Sequence, residues 1–253
     1  MDELYHDPGL VSVYDALNST REDFDFYLAQ LPPLPATVAD VGCGTGTFAV
    51  ELSHRGYAVT GIEPAGMMLA QARAKDGGKD VRWIEGTMAD VPSGARFDAI
   101  VMTGHAFQCI LHDEDVIALF GDVERRLAAN GAFLFETRNP AARAWEQWTP
   151  EHAGDPVPLA GGGAVRVVHR VEKVDGERIT FSETYELTGS SDAPRSSSST
   201  LRFMSADRIV ELARRAGLSA ERIWGTWTGD EFDTARSPEI IFRMQRSSAI
   251  SGV

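Results

Sequence analysis

The sequence has little cysteine, few basic residues and no long apolar run. Two cysteines, Cys43 and Cys109, occur in 253 residues; they are too few for a disulfide framework and fit a reduced, cytoplasmic setting. Lys and Arg total 24 against 37 Asp and Glu, a formal net charge of -13, so neither a nucleic acid nor an anionic membrane is the expected partner. No apolar run reaches the roughly 18 residues of a membrane span, so no transmembrane helix is expected.

Other common devices are absent as well. The first ten residues, MDELYHDPGL, are acidic and lack the apolar core of a secretion signal. No group of Cys and His has the spacing of zinc ligands, so no metal site is expected. Hydrophobic residues make up 43% of the chain, enough to bury a sizeable core as one domain with an elaboration.

Short apolar runs alternate with amphipathic segments from residue 37 onward. We predict strands at 37–41, 57–62, 81–86, 97–102 and 132–137, and helices at 46–55, 64–75 and 113–129. The last of these helices has apolar residues at helical spacing, beginning with Val116, Leu119 and Phe120. Strands that are apolar throughout and alternate with helices are typical of a parallel sheet covered on both faces.

The flanking segments follow other patterns. Residues 10–30 predict two helices broken near Asn18, and 164–187 predict a hairpin turning at Asp175-Gly176. The Ser-rich stretch 189–200 is interpreted as a mobile loop. A helix from Ser205 to Gly217 and strands near 219–226 and 238–245 complete the core. The predicted division is a helical cover at 1–35, a core at 36–137 and 201–246, an inserted β-rich substrate or lid region at 138–200, and a flexible tail at 247–253.

The stretch VADVGCGTGTFAVEL, residues 38–52, places a glycine-rich loop between a strand and a helix. Glycines allow sharp turns and close approach of a ligand to the main chain, and a helix N-terminus offers unpaired N–H groups. The spacing of Gly42, Gly44 and Gly46 differs from the dinucleotide fingerprint G-x-G-x-x-G. The loop alone fits either a pyrophosphate or a carboxylate.

Two acids narrow the choice of ligand. Asp40 lies near the end of the first strand, where a buried carboxylate needs a partner such as a ligand ammonium. Glu63 ends the second strand, where a carboxylate accepts hydrogen bonds from both hydroxyls of a ribose. A ligand that combines ammonium, carboxylate and ribose is S-adenosylmethionine.

The stretch VADVGCGTGTF, followed by VTGIEPAGMMLAQAR, resembles motifs I and II of the class I S-adenosylmethionine-dependent methyltransferases. GTMADVP, RFDAIVMTGHAFQCIL and GAFLFETRNP match further family segments. The resemblance is strong over residues 35–137 and looser elsewhere, and it points to a bacterial, in particular actinobacterial, small-molecule subgroup. It implies a three-layer α/β fold with a seven-stranded Rossmann-like sheet in the order 3-2-1-4-5-7-6 and strand 7 antiparallel. An N-terminal helical cover and a β-hairpin insertion after strand 5 complete this fold.

The resemblance also assigns site residues. The glycine loop would line the methionine part of the cofactor, Asp40 would hold its amino group, Glu63 the ribose, and Thr87-Met88-Ala89 the adenine. Many family members have Asp at the Thr87 position, so Asp90 or main-chain groups are alternative adenine contacts. The predicted cofactor-binding residues are Tyr14, Asp40, Gly42, Cys43, Gly44, Gly46, Glu63, Pro64, Met68, Thr87, Met88, Ala89, Thr103 and Gly104.

Several side chains keep two interpretations at this stage. His105 is either a general base or a hydrogen-bonding loop residue, and Arg138 either clamps a substrate carboxylate or forms a structural salt bridge. Tyr14 either contacts the cofactor or packs. Trp145 and Trp148 either wall the substrate pocket or belong to the core, whereas Cys43 is expected as a small buried filler rather than a nucleophile.

The predicted function is S-adenosylmethionine-dependent methyl transfer to a small-molecule acceptor, on nitrogen or oxygen, by in-line displacement. The product of the cofactor would be S-adenosylhomocysteine, and the protein would be a monomer or homodimer. The alternatives are a non-catalytic, cofactor-binding regulatory module and an NAD-dependent oxidoreductase. The sequence does not name the acceptor.

Overall fold

The computed structural model describes residues 3–20, 22–188 and 193–247. Its first half alternates helices and strands. In chain order these are α1 (Pro8–Leu17), α2 (Glu22–Gln30), β1 (Thr37–Val41), α3 (Thr47–His54), β2 (Ala58–Glu63), α4 (Gly66–Ala74), β3 (Arg82–Glu85), β4 (Phe97–Met102), α5 (Asp113–Arg126) and β5 (Leu127–Arg138). The second half holds β6 (Val157–Pro158), β7 (Ala164–Asp175), β8 (Arg178–Thr188), β9 (Arg195–Arg202), α6 (Ala206–Arg215), β10 (Leu218–Trp224) and β11 (Glu239–Arg246).

Seven strands form one sheet in the order β3-β2-β1-β4-β5-β11-β10. The strands from β3 to β5 run parallel, and β11 lies antiparallel between β5 and β10. The predicted strand order is therefore confirmed, with β11 in the place of the antiparallel strand 7. Because the parallel strands all end at one edge, β1, β2, β4 and β5 bring their C-terminal residues together there.

Both faces of this sheet are buried. In β4, Ala99 and Val101 belong to the apolar cluster that includes α2 and α3, whereas Ile100 and Met102 belong to the cluster that includes α5 and α6. This alternation follows from the period of two along a strand, and it explains why the strand is apolar throughout. The sheet is the rigid platform on which the site is built.

A second sheet of four antiparallel strands follows β5 in the chain, in the order β6-β7-β8-β9. The predicted hairpin is present as β7 and β8, but it is part of this larger sheet and its turn lies at Gly176-Glu177. Helix α1 packs on the second sheet through an apolar cluster that includes Leu10 and Tyr185. Asp7, which caps α1, is paired with Arg195 of β9 at 2.7 Å.

Three predictions of local structure were wrong. The Ser-rich stretch 189–200 is not a loop throughout: residues from Arg195 onward form β9, because the edge of β8 supplies a full set of backbone partners. The Thr180 and Thr200 hydroxyls, 2.9 Å apart, add a cross-strand hydrogen bond. Helix α4 begins at Gly66 rather than at Pro64, which precedes it. Helix α5 ends at Arg126 rather than at residue 129, and β5 begins at Leu127.

Residues 189–192 of that stretch and most of the predicted tail at 247–253 lie outside the described residues. The division of the chain into cover, core and insertion stays a prediction. Of the helices that the structure describes, none is long and apolar enough to cross a membrane.

Candidate cofactor and acceptor site

The glycine loop is held in a conformation that favours glycine at each of its three positions. Gly42, Gly44 and Gly46 have φ angles of 68°, 54° and 73°, the left-handed region that other residues rarely adopt. The loop is anchored to β2, because the N–H groups of Gly42 and Cys43 both donate to the carbonyl of Ile62. The turn therefore runs directly above the C-terminal ends of β1 and β2.

The three glycines face different surroundings. A Cβ on Gly44 would meet no atom within 4 Å, whereas one on Gly46 would lie 2.5 Å from the Trp83 ring. A Cβ on Gly42 would lie 3.1 Å from Ala106. Gly44 thus faces open space where a ligand fits, and Gly46 allows the loop to pack closely on the sheet. Gly104, in the turn after the adjacent strand β4, also faces open space. We call the space between these two turns the cleft.

Asp40 is a buried carboxylate without a partner. It is 1% exposed, and neither of its side-chain oxygens accepts a hydrogen bond from the residues that the structure describes. Burial raises the pKa of Asp40 to about 7, and the charges of Glu63 and Glu136 add to the shift. The nearby Ala49 N–H opposes the shift, but its geometry falls short of a hydrogen bond. A cationic ligand placed beside Asp40 would satisfy this group, as predicted for the cofactor ammonium.

Glu63 ties the loop to the end of β2. Its Oε2 accepts from the Gly44 N–H and its Oε1 from the Ala65 N–H, both at 2.9 Å. Burial raises the pKa of Glu63, and these two hydrogen bonds oppose the shift. Each carboxylate oxygen still has a lone pair for a second donor, so both can accept from a diol while the backbone bonds hold the carboxylate in place.

Asp15 was not predicted, yet it connects three elements at this site. From α1 it accepts hydrogen bonds from Thr45 in the loop, from Gln71 at 3.0 Å in α4, and from Lys75. Burial alone would raise its pKa, but the hydrogen bonds from Lys75 and Thr45 bring the pKa below its usual value. The sequence marks Asp15 only as one more polar residue on an amphipathic helix.

The Asp15 contacts fix α1 beside the glycine loop. Tyr14 and Met68 both belong to the apolar contact between α1 and α4, and Met68 is fully buried there. Burial raises the pKa of Tyr14 to about 12, and neighbouring charges that include Glu63 and Glu183 contribute. Packing thus accounts for the Met68 side chain, and Tyr14 keeps both of its interpretations.

The predicted adenine segment is a short 3-10 turn at Met88–Asp90. Thr87 caps this turn, and the Asp90 carboxylate accepts from the Thr87 N–H at 2.8 Å and its hydroxyl at 3.1 Å. These hydrogen bonds lower the pKa of Asp90. Thr87 and Asp90 therefore bind each other. The Ala89 N–H also donates to the Thr87 hydroxyl at 3.3 Å and the Met88 carbonyl accepts from the Val91 N–H, so the Met88 N–H is the simpler adenine contact.

The turn after β4 carries Thr103, Gly104 and His105. His105 has a φ of 58°, which is uncommon for a residue other than glycine. Backbone strain of this kind concentrates at functional sites. Glu136 of β5 stabilises the turn, since its carboxylate accepts the His105 N–H at 2.6 Å and the hydroxyl of Tyr27. Glu136 is fully buried, and burial raises its pKa.

The His105 imidazole is oriented by a second carboxylate. Its Nε2 lies 2.9 Å from Glu239, the first residue of β11. When Glu239 is ionised it accepts a hydrogen bond from Nε2–H, so the proton is on Nε2 and Nδ1 is the nitrogen with a lone pair. Both side chains are only partly exposed, at 20% and 13%. This is the geometry of a histidine held in one tautomer.

Arg138, at the end of β5, does not form a salt bridge with any carboxylate that the structure describes at contact distance. Its guanidinium donates to the Gln108 side chain at 2.9 Å and lies 5.7 Å from the Trp148 ring. Burial lowers its pKa, opposed by the charges of Glu239 and Glu136. Trp148 packs on Phe181 of the second sheet, with ring centroids 4.6 Å apart.

The remaining predicted residues are Trp145, Cys43 and Pro64. Trp145 is half-buried and packs against Phe203, with centroids 4.6 Å apart, a contact that fits both of its interpretations. Cys43 and Cys109 are both thiols, and burial raises the pKa of Cys43 well above its ordinary value, as suits a filler. Pro64 is exposed beside the loop. Sequence reasoning missed Asp15, Glu136 and Glu239; the only early signal was an acid within the apolar run AFLFET.

Comparison with known proteins gives the same class of protein. Residues 38–131 match the family model of a methyltransferase domain. The cypemycin N-terminal methyltransferase of a Streptomyces species is 24% identical over 249 residues, which span 97% of this chain and 99% of that protein. An S-adenosylmethionine-dependent methyltransferase from Clostridium acetobutylicum has the same fold, with a TM-score of 0.76, 13% identity and coverage of 93% of this chain and 97% of that chain.

A second solved structure of similar fold contains the cofactor. S-adenosylmethionine-bound CalS10, an amino pentose methyltransferase from Micromonospora echinaspora, has a TM-score of 0.65 and 24% identity; the match covers 92% of this chain and 90% of that chain. The comparisons give no support to an NAD-dependent oxidoreductase or to a non-catalytic module.

Residues 38–131 therefore belong to a methyltransferase domain, and the residues present fit S-adenosylmethionine as its cofactor. The partnerless Asp40 carboxylate offers a place for an ammonium, Glu63 can accept a diol, and the space in front of Gly44 admits a ligand against the main chain.

Proposed function

We propose that the protein transfers a methyl group to a nitrogen or oxygen of a small-molecule acceptor. The observation that carries this proposal is the pairing of a cofactor cradle, Asp40 and Glu63, with a separate polar group across the cleft, His105 and Glu239. The related proteins support it, since their names include an N-terminal methyltransferase and an amino pentose methyltransferase.

The cradle residues would divide the work of holding the cofactor. Asp40 would accept from its ammonium, Glu63 from its ribose hydroxyls, and the main chain at Met88 and Ala89 would face its adenine. Thr103 and Gly104 would line the methionine end. The bound cofactor supplies an electrophilic methyl group on a sulfonium. The protein is then left to align the acceptor and exclude water.

His105 would serve the acceptor rather than the cofactor. With Nε2 engaged by Glu239 at 2.9 Å, Nδ1 is the basic nitrogen, and it can take the proton that a hydroxyl or an ammonium must lose before attack. Glu239 would stabilise the imidazolium that results. Arg138, which lacks a contacting carboxylate among the described residues, would bind an anionic group of the acceptor.

The second sheet and α1 would cover this cleft. Helix α1 is joined to the core by Asp15 and to the second sheet by Asp7, which is paired with Arg195. We infer that residues 138–200 and the N-terminal helices form the acceptor pocket, with the core at 36–137 and 201–246 beneath. Such a pocket selects by shape and by a few polar groups.

Calorimetric titration with S-adenosylmethionine and S-adenosylhomocysteine tests the proposal. The intact protein should bind both in the micromolar range. Glu63→Gln should weaken binding by at least tenfold, because it removes the charge that accepts both the loop N–H and the ribose. Glu51→Gln, which changes a half-buried carboxylate of α3 that is paired with Arg55 and has no contact with the loop residues named above, is the matched control and should bind normally.

Screening of small acceptors by S-adenosylhomocysteine release then follows. No binding by the intact protein, or equal binding by the Glu63 variant, would contradict the assignment of the cradle.

A further inference from the structure

A polar row crosses the inner face of the second sheet. His169, Glu183 and Ser197 occupy facing positions on β7, β8 and β9, so their side chains lie side by side. The neighbouring rows on the same face are apolar at Val167 and Tyr185 on one side and at Phe181 on the other, and the first of these rows ends on β9 at Arg195, which is paired with Asp7. A carboxylate in such a row needs a reason, because burying a charge is costly.

Glu183 is held by two hydroxyls and an imidazole. Its Oε1 lies 3.1 Å from Nε2 of His169, and its Oε2 accepts from the Tyr185 hydroxyl at 2.9 Å and the Ser197 hydroxyl at 3.2 Å. Its side chain is 14% exposed. Across the part of the chain that the structure describes, no Lys or Arg forms an ion pair with it, and the His169 contact is an ion pair only when the imidazole is protonated. The carboxylate is thus oriented without a permanently charged partner.

The row faces the proposed acceptor cleft. Trp148 links the two sides: its ring centroid lies 6.4 Å from His169 and 5.7 Å from the Arg138 guanidinium carbon. Arg138 in turn lies opposite Glu239 in the strand register of β5 and β11. Glu183, which contacts His169, is thereby linked through Trp148 to Arg138 at the end of β5.

We propose that Glu183 is an acceptor-recognition residue and that the acceptor is a small amine, bound as its ammonium between the Glu183 carboxylate and the Trp148 ring. This inference rests on the proposed function and narrows its acceptor class. Three hydrogen bonds leave one lone pair of the carboxylate open, and the ammonium supplies the charge that the sheet does not. An aromatic face beside a carboxylate is a favourable setting for a cation.

These donors explain how Glu183 keeps its position. An Arg or Lys partner would cancel the field that attracts a cation, whereas two hydroxyls and a neutral imidazole would only fix the geometry. A purely structural role would require the three donors alone, and a neutral amide at the same position would then serve as well. The recognition role and the structural role of Glu183 therefore differ in one measurable property: only the recognition role makes the protein bind a cationic ligand more tightly than its neutral analogue.

The test compares benzylamine, an ammonium at neutral pH, with benzyl alcohol, its neutral analogue. Dissociation constants are measured by ligand-observed NMR with the protein saturated with S-adenosylhomocysteine. The intact protein should bind benzylamine at least tenfold more tightly than benzyl alcohol. Glu183→Gln should abolish this preference and leave the affinity for S-adenosylhomocysteine unchanged.

Glu186→Gln is the matched control, because Glu186 is exposed on the same strand and on its opposite face. It removes the same charge and should keep the preference. Equal affinities for the two probes in the intact protein would overturn the proposal. So would a preference that survives Glu183→Gln, or one lost equally in Glu186→Gln.

A second measurement does not depend on the folding of the Glu183 variant. In the intact protein the indole N–H resonance of Trp148, assigned with Trp148→Phe, should shift on addition of benzylamine and not of benzyl alcohol; the absence of a shift would also refute the proposal. Protein that fails to bind S-adenosylhomocysteine would instead contradict the proposed function itself.

Discussion

The partnerless Asp40 carboxylate makes a quantitative prediction about stability. We consider Asp40→Asn, which keeps the shape of the side chain and removes its charge. Asp40 is fully enclosed and its pKa is raised from 3.8 to about 7 by burial and by the charges of Glu63 and Glu136. The unfolded chain lacks that environment, so its Asp40 titrates near 3.8.

The sign follows from the direction of the shift. Below pH 3.8 both states carry the proton and Asp40 costs nothing in ionisation. Between pH 3.8 and about 7 the unfolded state loses the proton first, so the free energy of unfolding falls as pH rises. The slope is about 1.4 kcal/mol per pH unit and the full loss above pH 7 is roughly 4 kcal/mol.

Denaturant unfolding at pH 5 and pH 8 measures this effect. The intact protein should lose roughly 3 kcal/mol of stability relative to Asp40→Asn between these two pH values. Comparing the two proteins at each pH cancels the titration of the other groups. Glu186→Gln, on the exposed surface, should follow the intact protein at both pH values.

Cofactor binding should report the same carboxylate. An ammonium beside Asp40 favours the ionised form, so binding near pH 6 should release up to one proton. Titrations in buffers of different ionisation enthalpy count that proton, and Asp40→Asn should not release it. Parallel stability curves for the two proteins, together with no proton release, would refute the argument that Asp40 is an uncompensated buried charge.

Two further substitutions test the other side of the cleft and the position of α1. His105→Ala should lower turnover by about 10²- to 10⁴-fold while cofactor affinity changes little, measured with an acceptor found by S-adenosylhomocysteine release; an equal loss in both would remove the base role. Asp15→Asn should lower the free energy of unfolding at pH 7 by roughly 1–2 kcal/mol, because Lys75 and the loop lose a charged partner. Since the pKa of Asp15 is lowered in the folded state, this difference should vanish as pH falls below that pKa, and Asp76→Asn on the exposed surface should show no such effect.

The core strands could be predicted closely because their signal is local. β1 and β4 occupy the predicted ranges 37–41 and 97–102, since a short apolar run inside a parallel sheet is bounded by polar residues at both ends. β9 could not, because a Ser-rich run becomes a strand only when the edge of β8 is available to it. The outcome there depended on tertiary pairing, which sequence composition does not encode.

The site divides in the same way. Asp40 and Glu63 were predicted to face the cofactor because strand ends beside a glycine turn meet at one edge of the sheet. Glu239 is more than a hundred residues from His105 in the chain, and only the antiparallel course of β11 brings it within 2.9 Å. Glu183 required the register of three strands to be known, and no motif marks it.

The interior position of β11 has a consequence for how the molecule is made. β10 precedes β11 in the chain but hydrogen-bonds only to β11 within the sheet, so while the chain grows β5 remains an open, apolar edge that another chain could pair with. The arrival of β11 closes that edge and delivers Glu239 to His105 in the same event. A nascent chain therefore acquires its paired histidine only as it ceases to be prone to association.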